Sequence, residues 1–104
     1  MKLNHKYSVD GYDVVMTRSR WNYAGGVEGT AVTIKATALA QEYKVMLNGS
    51  HVEHHGLLGA IDKHIDYSER CAESSFKTNQ LKHTADIAVA QMIKHLLELL
   101  QESE

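Results

Sequence analysis

Apolar residues in the first half of the chain recur at every second position. Tyr12, Val14 and Met16 alternate with Asp13, Val15 and Thr17, the period of a strand whose successive side chains point to opposite faces. Asp10-Gly11 separates this run from Tyr7-Ser8-Val9, and both of its residues suit the positive φ that a two-residue hairpin turn needs. A third strand is expected over residues 30–38, where Val32, Ile34 and Ala36 share one side. A fourth is expected over 43–47, aligning Tyr43, Val45 and Leu47, with Asn48-Gly49 closing it.

From Ser50 onward the period changes. Ser50-His51-Val52-Glu53 fits a capping box, in which the Ser hydroxyl accepts from the Glu53 amide and the Glu side chain reaches back. The predicted helix covers 51–72, with Leu58, Ile61, Ile65 and Ala72 on one stripe. Gly56 and Gly59 each weaken its first turns by up to ~1 kcal/mol, so one of them marks a kink or the helix begins only near Leu57. The polar stretch 73–83 reads as a connection, and Thr84 as the N-cap of a last helix.

That last helix carries the clearest pattern. At 100° per residue, Ala85, Ala88, Val89, Ala90, Met92, Ile93, Leu96, Leu97, Leu99 and Leu100 span an arc of about 200°. A helix covering one sheet needs a stripe only somewhat wider than ~100°. The surplus predicts cover on a second side, by the neighbouring helix or by a second copy of the chain. The second copy is the preferred reading, with Ala85, Val89, Met92, Leu96 and Leu99 as the interface of a homodimer or larger homo-oligomer. The fold class expected is α+β: a four-stranded antiparallel sheet followed by two helices packed on one face, as one domain over residues 1–104.

Composition narrows the class. The chain has 104 residues, 43% hydrophobic and 23% charged, which is ordinary for a globular domain and argues against disorder. No apolar run approaches the ~20 residues of a membrane span. The start, Met1-Lys2-Leu3-Asn4, lacks the apolar stretch of a secretory signal. Cys71 is the single cysteine, so no internal disulfide forms. Together these features point to the cytoplasm. Residues 1–52 hold six Lys/Arg against four acids, and residues 53–104 hold five against nine. Binding to duplex nucleic acid through its phosphates calls for a stronger basic excess, so that partner is not expected.

Three segments could carry chemistry. Three of the seven histidines crowd into His51-Val52-Glu53-His54-His55, and His51 and His55 lie four apart on one helix face, a spacing that can hold a transition metal. Glu53 does not occupy the second position of a zincin motif, and a third ligand would have to come from His5, His64, His83 or Asp62. A continuous helix aims His64 well away from His51. The stretch Arg18-Ser19-Arg20-Trp21-Asn22-Tyr23-Ala24-Gly25-Gly26 reads as a loop that joins bidentate guanidinium donors to two stacking rings. This suits a small anionic aromatic ligand, nucleotide-like in character. The spacing matches neither a phosphate-binding loop nor a dinucleotide fingerprint. Lys82-His83-Thr84 stands where a helix N-terminus would attract an anion.

Catalytic pairings are thin. Cys71 could form a nucleophile pair with a distant His, but a lone cysteine on a helix rich in small residues is usually buried and inert. Ser74-Ser75 has no flanking elbow glycines, and Asp62 and Asp66 read as an exposed helical face. No resident cofactor is called for. The functional expectation is therefore a non-catalytic binding protein that sequesters an anionic ligand or blocks a partner protein, as inhibitors and regulators do. Two other readings stand beside it: a histidine-dependent metalloenzyme built on residues 51–55, and a structural or accessory subunit.

Overall fold

The computed structural model describes residues 2–22, 28–74 and 77–103. Strands β1 (Lys6–Val9), β2 (Tyr12–Asn22), β3 (Glu28–Ala38) and β4 (Gln41–Asn48) form one antiparallel sheet in chain order. Helices α1 (Gly49–Ser74) and α2 (Lys77–Ser103) follow and pack against one of its faces. The α+β class and the sheet-then-helices order are those read from the sequence. Among the described residues, no helix is long and apolar enough to cross a membrane.

The alternation in the first half becomes the two faces of the sheet. Val14 and Met16 of β2, Val32, Ile34 and Ala36 of β3, and Val45 and Leu47 of β4 are all buried beneath the helices. The register explains how they meet: Val14 stands opposite Ala36, Met16 opposite Ile34, and Ile34 opposite Val45. The turn at Asp10-Gly11 has φ of 50° and 81°, as a two-residue hairpin of this hand requires.

Both helices bury a narrow stripe. Ala60, Ile61 and Ile65 of α1 meet Ala90, Ile93, Leu96, Leu97 and Leu100 of α2 in a single core with the sheet. Each fully buried large aliphatic side chain contributes about 1.5–3 kcal/mol of transfer free energy. An exposed ion pair between Lys94 Nζ and Asp62 Oδ1, 2.7 Å apart, ties the two helices on the solvent side. The Lys94 ammonium is held above its ordinary pKa, first by this hydrogen bond and then by the Asp62 charge.

Several local expectations are corrected. β2 continues to Asn22, so Arg18 to Asn22 form strand and not loop, paired with Val32 to Glu28 across β3. The N-cap of α1 is Asn48, whose Oδ1 accepts from the Ser50 amide at 2.8 Å, and Ser50 itself lies within the helix. The expected connection over 73–83 is largely helical, because α2 begins at Lys77. Thr84 is therefore not an N-cap; its hydroxyl donates to the Gln80 carbonyl one turn back, at 2.8 Å.

The wide apolar arc of α2 also divides. Its Ala90–Leu97 side is buried by the sheet and α1, while Ala85 and Ala88 are exposed and Val89, Met92 and Leu99 half-buried. Leu96, at 1% exposure, belongs to the chain's own core and offers no surface to a partner. Much of the surplus width is thus covered by α1, which packs along α2.

Candidate functional site

The site begins at the junction of β4 and α1. Gly49 is required there: a Cβ would fall on the Thr30 hydroxyl and 2.7 Å from the Thr30 carbonyl oxygen. Seven residues on, Gly56 adopts φ 74° and ψ 175°, a conformation essentially confined to glycine. It breaks α1 into residues 49–55 and 57–74, set at an angle. Gly59 stays helical, and a Cβ there would lie 2.8 Å from the His55 Cβ.

The bend creates a cavity of about 650 Å³, lined by Asn48, His51, Ala60, Lys63, His64, Asp66, Tyr67 and Arg70. His51 comes from the first segment of α1 and the residues from Ala60 onward from the second. Lys63, Asp66, Tyr67 and Arg70 follow the i, i+3, i+4, i+7 spacing of one helical stripe, so the second segment presents them together. A second cavity of about 350 Å³ adjoins it at His64, bordered by Glu42 to Met46 of β4 and by Asp86 and Val89 of α2.

Electrostatics sort these groups. Lys63 and Arg70 bring cationic donors, Asp66 one carboxylate, and Asn48 and Tyr67 neutral polar groups. His64 is half-buried, and burial lowers its pKa, partly offset by the Asp86 carboxylate. At neutral pH its imidazole is therefore an uncharged donor and acceptor. The Tyr67 phenol is held above its ordinary pKa, first by a hydrogen bond with Cys71 and then by that group's charge. It stays a neutral hydroxyl on an exposed ring.

Of the residues singled out from the sequence, His51 and His64 line this cavity, while Arg18, Arg20, Lys82 and His83 do not. Arg18 and Arg20 are exposed on β2 and border neither cavity. Trp21 and Asn22 lie in the same strand, paired through their backbones with Gly29 and Glu28; Tyr23, Gly25 and Gly26 fall outside the described residues. Lys82 is exposed and His83 half-buried, both inside α2, so neither stands at a helix N-terminus.

His51 and His55 share a helical face as expected, with ring centroids 6.4 Å apart. Zn–N bonds of 2.0–2.1 Å on tetrahedral zinc bring two such rings to roughly 5 Å. Among the described residues, no group of three or more His, Cys, Asp or Glu is placed to hold a metal ion. His51 instead faces the cavity, together with His64, Lys63 and Arg70. The sequence signal for this stripe was the Lys63-x-x-Asp66-Tyr67-x-x-Arg70 spacing, which reads as an ordinary solvated helix face until the bend is known.

Comparison of the chain with protein-family models, with curated proteins and with solved structures gave no match.

Proposed function

We propose that this chain is a small non-catalytic binding protein that holds an anionic ligand in the cavity at the bend of α1. The observation that carries the reading is the convergence of Lys63, Arg70, His51, Asn48 and Tyr67 on one 650 Å³ space. That volume lies within the roughly 300–1,000 Å³ usual for small-molecule sites. A guanidinium and an ammonium on one helical stripe suit phosphate or carboxylate oxygens. The Tyr67 ring offers a stacking surface for an aromatic portion, and the Asp66 carboxylate can accept from a ring amine or sugar hydroxyl. The ligand class is thus the anionic, nucleotide-like one expected from the Arg18–Gly26 segment, with its site moved to α1.

The test is a titration of the isotope-labelled chain with AMP and, separately, with pyrophosphate, followed by NMR. Shifts concentrated at Asn48, His51, Lys63, His64, Tyr67 and Arg70, abolished in Lys63→Glu, are expected. Shifts centred on Arg18 and Arg20, or none with either compound, would sink the assignment.

A further inference from the structure

A free strand edge presents a row of unpaired N–H and C=O groups and invites another strand. β4 ends the sheet on one side. It is eight residues long, contains no proline, and pairs with β3 without a bulge. β1, at the opposite side, has only four residues.

The turn before β4 decides which of its groups face outward. Leu39-Ala40 is a two-residue connection with Leu39 at φ 54°, so the flanking pair Ala38 and Gln41 is hydrogen-bonded. Alternation then directs the backbone groups of Gln41, Tyr43, Val45 and Leu47 toward β3. Those of Glu42, Lys44, Met46 and Asn48 point away from the sheet; the side chains of Glu42, Lys44 and Met46 are exposed on the face without helices, while Asn48 turns to cap α1. The 350 Å³ cavity borders β4 from Glu42 to Met46, together with His64 of α1 and Asp86 and Val89 of α2, so open space lies beside the edge there.

We propose that a second copy of the chain occupies this edge, β4 against β4, antiparallel and centred on Tyr43. The registers near the middle of the strand that keep outward groups opposite one another are centred on Tyr43, Lys44 or Val45. Centring on Lys44 sets two ammonium groups face to face, which is unfavourable. Centring on Val45 sets Lys44 against Met46 and Glu42 against Asn48, matching no charges. Centring on Tyr43 places Glu42 of each copy directly opposite Lys44 of the other, in hydrogen-bonded pairs about 5.5 Å apart at Cα. The two Tyr43 residues then form the non-hydrogen-bonded pair, where cross-strand side chains approach most closely. The product is one continuous sheet of two four-stranded halves, with both helical layers on the same face. The oligomer interface thereby moves from the α2 stripe to the β4 edge.

Sedimentation at about 100 µM protein tests this, since a strand-edge contact sits at the small end of stable interfaces. The parent chain is expected to sediment as a dimer, Glu42→Lys and Lys44→Glu each as a monomer, and the joint reversal as a dimer again. Both positions are exposed, and circular dichroism confirms that each variant is folded. As an independent readout, Tyr43→Cys should form a disulfide-linked dimer under mild oxidation, where the parent, with Cys71 as its single thiol, does not. A monomeric parent, a dimer indifferent to either single reversal, a double reversal that stays monomeric, or a dimer that fails to cross-link would overturn the proposal.

Discussion

His51 and His64 border the same cavity, although a straight helix through both would point them about 140° apart. The relationship exists because Gly56 takes a positive φ and an extended ψ, breaking the line of α1 between them. A single glycine therefore interrupts the helix between the two histidines.

The first prediction follows from that position. Gly56→Ala has open space for its methyl group but must adopt a backbone conformation that costs of order 1–3 kcal/mol. Urea denaturation should show a loss in that range. Gly11→Ala, also at positive φ but in the β1–β2 turn, should likewise destabilise while leaving the His51 and His64 resonances unperturbed. Equal stability of Gly56→Ala and the parent would mean that the bend is not held by glycine.

The helix start gives a sharper pair. Asn48 accepts from the Ser50 amide, so Asn48→Ala should lower stability by about 0.5–2 kcal/mol. Ser50→Ala should stay within roughly 0.5 kcal/mol, because an exposed residue that does not cap contributes little. The reverse ranking in thermal melts would restore the capping box expected from Ser50 and Glu53.

Core and surface leucines of α2 should separate widely. Leu97 is fully buried between the sheet and α1, and Leu97→Ala should cost about 2–5 kcal/mol. Leu81, 76% exposed on the same helix, should tolerate alanine within roughly 0.5 kcal/mol. Denaturation midpoints of the two variants against the parent measure the contrast.

His64 sets a pH dependence. Its pKa in the folded chain is lowered by burial, so below about pH 6.5 the unfolded chain binds more protons than the folded one. This contribution to stability is fully present above about pH 6.5 and is lost as the pH falls toward the lower folded value. Melting temperatures should accordingly decline between about pH 7 and pH 5.5, and His64→Gln should flatten that decline. An unchanged slope in the variant would remove His64 as its cause.

Much of the fold was legible because it depends on local periodicity. The alternation through Val14, Met16, Val32, Ile34, Val45 and Leu47 is a strand pattern in any context, and the Asp10-Gly11 turn needs only its own φ values. The ends of elements were less legible. Arg18 to Asn22 show no alternation of apolar and polar residues, yet they extend β2 because β3 supplies partners for their backbone groups. Lys77 to His83 look like a polar connection, yet they extend α2, since helical hydrogen bonds propagate from a turn already formed without needing an apolar face.

The sequence by itself determined the α+β order, the sheet face that is buried, the core stripe of α2 and the presence of a glycine able to bend α1. Each of these follows from the side chain or backbone preference of residues near one another in the chain. Only the tertiary structure decided which glycine bends: Gly56 takes φ 74° while Gly59 stays helical. It alone decided that Lys63, Arg70, His51 and His64 share a cavity, and that β4 is left with a free edge. Those are relations between segments, fixed by how the helices lie on the sheet, and no local spacing encodes them.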